Sequence, residues 1–278
     1  MQIVTAQDGV LRTLQSGGWK GARIGAPGGG KLLDATDASA AETTAAPAVT
    51  AASASFFRTG LPALDELAPG QAFALGAVHE LLFPQRAPPP QFVAMLLMLS
   101  AARVRPGTVV WSDPDGMLYP PAIARAGLPL ERLLILRPKA LDDEIWAAAE
   151  CMGCRGIAAT IVEPVRLNRV QARRLQLAVE RGGGAGILIR SQRSARDYAA
   201  VTRWLIAPEP GTRTVQRWKV ELLHGHGGQV HKPVILEVCR DVPPSPDGQG
   251  PVPPHVVSAY DPVADRPAEA RPAARASA

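Results

Sequence analysis

Ala77-Val-His-Glu-Leu-Leu-Phe-Pro-Gln-Arg-Ala-Pro-Pro-Pro-Gln91 is the stretch whose reading decides the fold. Its first seven residues, Ala77 to Phe83, form a short apolar run of the kind that makes a strand buried on both faces. Prolines at 88, 89 and 90 then precede an apolar segment, Gln91 to Arg103, that reads as a helix, since proline is tolerated at or just before a first helical turn. The same alternation continues downstream. Thr108 to Trp111 (strand), Pro120 to Ala126 (helix), Leu133 to Leu136 (strand), Leu141 to Met152 (helix), Ile157 to Val162 (strand), Arg166 to Arg181 (helix) and Ile187 to Ile189 (strand) follow in order. Short buried runs separated by helices predict an α/β fold, a mostly parallel sheet flanked by helices. Further on, Val215 to Leu223 alternates with period two, and His224-Gly-His-Gly-Gly228 turns it back into Val230 to Val238. That pattern predicts a C-terminal antiparallel hairpin closing the sheet.

Working outward, composition shows where this domain ends. The chain has 278 residues and is 46% hydrophobic, but 46 of its residues are alanine, and 27 Pro with 26 Gly dilute it further. A core must therefore be concentrated in part of the chain. Residues 21–55 contain no aromatic and run from Gly-rich into Ala/Thr/Ser-rich sequence, which reads as a disordered linker. Residues 241–278 carry nine of the prolines and read as a disordered Pro/Ala-rich tail. Residues 1–20 form a short N-terminal segment in which Val10 to Leu14 suggests a helix. The ordered domain is then 56–240. No apolar run approaches the roughly 20 residues that span a bilayer, so no membrane contact is expected. The first residues lack the basic-then-apolar pattern of a secretion signal, and three cysteines fit a reducing compartment, so the expected location is cytoplasmic.

The obvious phosphate-binding pattern is misplaced. Gly25-Ala-Pro-Gly-Gly-Gly-Lys31 matches a phosphate loop until Leu32 stands where a magnesium-binding Ser or Thr belongs. It also lacks a buried strand before it and a helix after it, which are what hold backbone N–H groups on a phosphate. The architecturally proper position is the turn between Phe83 and Gln91. That turn has no Gly, Lys, Ser or Thr, and its four prolines (84, 88, 89 and 90) remove backbone donors. Acids do stand at strand ends, Asp113 and Asp115 after one strand and Glu163 after another, where a doubly wound sheet opens its ligand crevice. Cys151-Met-Gly-Cys154 has metal spacing, with Cys239, His224 and His226 as further ligands in principle, but its place at a helix end leading into a buried strand favours small buried hydrophobes. His79-Glu80 opens a zinc-protease motif that Phe83 breaks. Neither a metal nor a cofactor is expected.

Net charge is +5, yet between Arg155 and Arg217 twelve arginines face four acids, so the basic character is confined to that window. On the helix within it, Leu167, Val170, Leu175, Leu177 and Ala178 share a broad apolar face, while Arg166, Arg169 and Arg173 form a separate arc at i, i+3, i+7. That arc is the candidate contact for an acidic protein or a nucleic-acid backbone. With only Tyr198 and Trp204 nearby for stacking, base readout is disfavoured.

Particular words of this sequence resemble one family. Thr59-Gly-Leu-Pro-Ala-Leu-Asp65 followed by Gly76-Ala-Val-His-Glu80 looks like the opening of ImuA proteins, the RecA-like, SulA-related accessory proteins of bacterial induced mutagenesis. The likeness to RecA continues through Leu118-Tyr-Pro120, Gly127-Leu-Pro-Leu-Glu-Arg-Leu-Leu134, Thr160-Ile-Val-Glu163, Gly186 to Arg190 and Arg217-Trp-Lys-Val-Glu-Leu-Leu223. The resemblance implies a RecA-like core over 56–240. By position, Glu163 would replace the Walker-B Asp, Asp115 the catalytic Glu, and Ser191 the nucleotide-sensing Gln. It further implies a non-catalytic adaptor in SOS mutagenesis and translesion synthesis. The implied partners are ImuB, an error-prone DNA polymerase III alpha-type subunit and RecA; contact with a DNA backbone is an expectation from the arginine arc alone. The alternatives are a SulA-type cell-division inhibitor and an active RecA-like ATPase.

Overall fold

A computed structural model describes residues 2–7, 10–15, 55–194, 198–213, 215–225, 232–239 and 256–260. Most of the expected linker, 21–55, and of the expected tail, 241–278, lies outside these residues.

The centre is a parallel sheet. Its strands are β5 (Ala77–Phe83), β6 (Thr108–Ser112), β7 (Leu133–Arg137), β8 (Ile157–Val162), β9 (Ala185–Ser191) and β10 (Thr202–Glu209). They pair in parallel in the order β10-β5-β9-β8-β6-β7. Every residue of β8 is buried, as a strand covered on both faces must be. Helix α2 (Gln91–Val104) covers one face, where Val93 and Leu97 join Ile161, Ile187 and Ile189 in one core. Helices α4 (Leu141–Met152) and α5 (Arg169–Gly182) cover the other, with Leu175 and Val179 against Val162 and Leu188. Adjacent residues such as Ile161 and Val162 thus feed opposite cores, as the period-two pleat requires.

Antiparallel strands extend the sheet on both sides. β11 (Val215–Gly225) pairs with β10 and with β12 (Val234–Cys239), and β13 (Val256–Tyr260) pairs with β12. β13 falls inside the stretch read as tail, so that reading is corrected at 256–260: Val256-Val-Ser-Ala-Tyr260 is a β-branched and aromatic run among the prolines. At the far side β1 (Gln2–Gln7) pairs antiparallel with β7, and β2 (Val10–Gln15) with β1. The helix expected through Val10 to Leu14 is therefore a strand. Ile3, Val4, Thr5, Val10 and Thr13 suit a pleated surface, Asp8-Gly9 is the strongest short hairpin signal in sequence, and the free edge of β7 supplies the pairing that local propensity alone cannot. β10 is a further strand that the sequence reading passed over, as are β3 (Phe56–Phe57) and β4 (Phe73–Ala74), which pair antiparallel with each other apart from this sheet. Helix α3 (Pro120–Arg125) lies between β6 and β7 in the chain.

The words that carry the resemblance have structural roles. Before α1 (Pro62–Leu67), the Asp65 carboxylate accepts from Thr59 N (2.8 Å), Thr59 Oγ1 (2.7 Å) and Gly60 N (3.1 Å), tying the entry of the domain into a closed loop. Gly60 sits at φ +82, which that loop requires and a side chain would strain.

Candidate functional site

The parallel strands deliver their C-terminal ends to one edge, and the sequence-singled acids lie along it. Asp113 follows β6 and is buried; its Oδ1 accepts from Met117 N (2.8 Å) and Leu118 N (3.2 Å), and its Oδ2 lies 3.7 Å from Arg137 Nη2. It holds the turn Ser112-Asp-Pro-Asp-Gly116 in shape, with Asp115 exposed at the tip. Glu163 follows β8, and its Oε2 accepts from Gln91 Nε2 at 3.4 Å. Burial pushes its carboxyl above the usual range against the pull of Gln91, with the charges of Glu144 and Asp115 adding in the same direction.

Glu144, a residue the sequence reading did not single out, completes this group. It projects from the first turn of α4, is buried, and accepts a 2.6 Å hydrogen bond from Ser112 Oγ. Burial raises its pKa too; the Ser112 bond opposes that and the Asp115 charge supports it. The signal that could have found it was Asp142-Asp-Glu144 at a helix start beside a strand end. Three carboxyls, Asp115, Glu144 and Glu163, therefore repel one another across the crevice where a doubly wound fold binds its ligand. Among the described residues, no group of three His, Cys, Asp or Glu side chains converges closely enough to hold a metal ion. Ser191 ends β9, and its carbonyl receives Ser194 N (3.0 Å) and Ser194 Oγ (3.1 Å), a turn-closing role.

The turn between β5 and α2 closes on itself. Ala87 N donates to Pro84 O (2.8 Å), Gln91 N to Pro89 O (2.9 Å), and Val93 N and Ala94 N to Pro90 O (3.0 and 3.1 Å). Four of the turn's residues are prolines without an N–H, and the N–H groups of Ala87 and Gln91 are engaged within it, whereas a phosphate loop aims such donors at its ligand.

Beside it stands a buried ion cluster. Glu80 on β5 accepts from Arg190 Nη1 on β9 (2.7 Å) and Arg203 Nε on β10 (2.5 Å), and both the Glu80 and Arg190 side chains are 0% exposed. Arg190 also donates to Ser194 O (2.7 Å), and the Arg203 guanidinium lies 3.9 Å over the Tyr198 ring. In the sequence Glu80 stands out as part of a failed metal motif and as the end of the word Gly76-Ala-Val-His-Glu80, neither of which points to an ion cluster. Nothing local marks it, because its partners come from strands more than a hundred residues away. Cys151 is buried, and desolvation pushes its thiol up to about 12, as for a small buried hydrophobe, while Cys154 is half-buried. His226 and the Cys239 side chain lie outside the described residues.

The arginine arc is rearranged. α5 begins at Arg169, because Asn168 caps it: Asn168 Oδ1 accepts from Gln171 N (2.9 Å) while Gln171 Oε1 accepts from Asn168 N (3.1 Å), a reciprocal capping box. Arg166 therefore precedes the helix, and Arg169 and Arg173 stay on it. Val170 and Leu177, read as core-facing, are 79% and 48% exposed, whereas Leu167, Leu175 and Ala178 are buried. The buried face runs through Ala172, Leu175, Ala178, Val179 and Gly182, and at 100° per residue Val170 and Leu177 fall opposite it.

Fold and site together define an α/β protein with a parallel core, an acidic crevice and a proline-rich strand-to-helix turn. Among its described residues no helix is long and apolar enough to cross a membrane. No family model matches the chain. It is similar to the proteins named ImuA from Caulobacter vibrioides, in strain NA1000 / CB15N and in strain ATCC 19089 / CIP 103742 / CB 15. Each is 29% identical over 192 residues, which is 61% of this chain and 78% of the relative.

Proposed function

We propose that this chain is an ImuA-family protein: a non-catalytic, RecA-like adaptor in damage-induced mutagenesis and translesion DNA synthesis. It acts with ImuB, an error-prone DNA polymerase and RecA. The sequence similarity supports the family and, through it, the general role. The observation that supports the non-catalytic part is the strand-to-helix turn from Pro84 to Gln91, where four prolines lack an N–H and those of Ala87 and Gln91 bond within the turn instead of facing a triphosphate. In this reading Asp115 and Glu163 are degenerate remnants of a nucleotide site, and the charges of Glu144 and Asp115 add to burial in raising the Glu163 carboxyl.

An active RecA-like ATPase is the competing reading, favoured by the same acids at the strand ends. Equilibrium dialysis with ATP and magnesium separates them: the adaptor binds no tighter than millimolar. Micromolar binding, with turnover that disappears in Glu163→Gln, would overturn the proposal. Deleting the gene should lower the frequency of ultraviolet-induced mutation. Overproducing the protein should leave cell length unchanged, whereas filamentation would indicate a division inhibitor.

A further inference from the structure

Between α4 and α5 lies a surface groove of about 680 Å³. Its floor is small and apolar, Ala149 of α4 against Ala178 of α5, and over it stand the exposed side chains of Val170 and Leu177, seven residues apart on one line of α5. Arginines border this line on both sides. Arg174 and Arg181 lie on the side of α4, where Arg174 meets Glu150 at 3.6 Å, and Arg169 and Arg173 lie on the other. Arg173 donates to Gln176 (2.7 Å), and among the described residues no carboxylate lies within ion-pairing distance of Arg169, Arg173 or Arg181.

From this we infer that the α4–α5 groove docks an acidic amphipathic helix of a partner protein, its aliphatic face on Val170 and Leu177 and its carboxylates on the flanking arginines. This deepens the adaptor reading and rests on it for biological context. The occupant follows from complementarity. A stripe of exposed aliphatic side chains between basic rows matches a helix with apolar residues at i, i+3, i+4 and i+7 and acids beside them. Duplex DNA would find the arginines, but Val170 and Leu177 would be desolvated against phosphates and sugars with nothing gained. Arginine rather than lysine suits the purpose, because its fork binds carboxylates bidentately at an interface. Interface energy concentrates in such apolar centres rimmed by charge.

An array of synthetic 16-residue peptides, in which the number of Glu residues and the spacing of Leu are varied independently, tests this with the full-length protein labelled and applied in solution. Retention is expected only for peptides that are both acidic and carry helical Leu spacing, and it should weaken at least tenfold from 50 to 500 mM NaCl. Arg169→Glu with Arg173→Glu, and separately Val170→Ser with Leu177→Ser, should each weaken it at least tenfold; all four positions are exposed, and an unchanged melting curve checks the fold. Retention that follows charge alone, no retention at all, or displacement by a 20-base-pair duplex through the same four residues would overturn the inference. Because the array reads the groove in isolation, a null array leaves the mutagenesis role intact, and loss of the mutagenesis phenotype leaves the groove intact.

Discussion

His79 sits in the middle of β5 with no exposure, in a relay whose proton positions follow from its ends. The Ala74 carbonyl can only accept, so Nε2 carries the hydrogen (2.8 Å); Trp204 Nε1 donates to Thr202 Oγ1 (2.7 Å), leaving the Thr202 hydroxyl to donate to Nδ1 (2.7 Å). The ring is thus held neutral, and burial lowers its pKa from 6.5 to about 4. Since the unfolded chain takes up this proton first, the neutral ring contributes stability above pH 6.5 that is lost progressively down to about pH 4. Urea titrations at pH 7 and pH 5 should show a loss on the order of 2 kcal/mol from this group, and His79→Gln should flatten that difference. An equal pH dependence in the variant would reject the assignment. Glu144 and Glu163 act with the opposite sign: their charged forms are disfavoured in the fold, so each detracts from stability at neutral pH and less so on acidification. Glu144→Gln and Glu163→Gln should therefore raise the melting midpoint at pH 7, read by calorimetry, and a lowered midpoint would contradict the burial argument. None of these three environments is visible in local sequence, because each is made by residues from separate elements. Asp115 and Glu163 were legible only as strand-end acids, and Glu144 was missed because it lies on a helix.

At the scale of elements, what was readable depended on whether a segment makes its own case. β8 and α4 match their expected bounds, since a six-residue apolar run and a helix opening on three acids need no context. α5 was found but begun three residues early, at Arg166, because the arginines there are good helix formers and the Asn168 cap outcompetes them. That cap is testable. Asn168→Ala should cost about 1 kcal/mol in a denaturant titration with unchanged slope, and Asn168→Asp should recover most of it. The misread face of α5 has the same origin: Val170 and Leu177 are apolar by type, and only the packing of Ala172, Leu175 and Val179 on the sheet shows that they point away from it. Exposed Val and Leu in a basic row are also what makes the groove distinctive.

Across the whole molecule, the alternation of strands and helices announced a parallel sheet, but not how far the sheet extends. β10 pairs with β5 across more than a hundred residues, and β1 reaches β7 from the chain's first residues. Such pairings are decided by which edge is left open once the core is assembled. β7 is that edge: without β1 it would present Leu133-Leu-Ile-Leu-Arg137, an apolar run with unpaired backbone donors and acceptors, to any other strand. Four residues of β1, Gln2 to Thr5, pair with β7, and β2 then becomes the outer strand, with Arg12 and Gln15 in place of a purely aliphatic sequence. Removing residues 1–15 should therefore do two things at once. The melting midpoint should fall, because a strand pair is lost, and the protein should shift from its full-length elution position towards concentration-dependent oligomers in size-exclusion chromatography, because β7 is uncovered. Leu134→Lys in the shortened chain should restore the original elution without restoring the midpoint, since a charge blocks edge pairing but supplies no hydrogen bonds and gives up the packing of Leu134 on Val110 and Leu136. A truncated protein that elutes and melts like the full chain would mean that β7 is guarded by something other than the N-terminal strands.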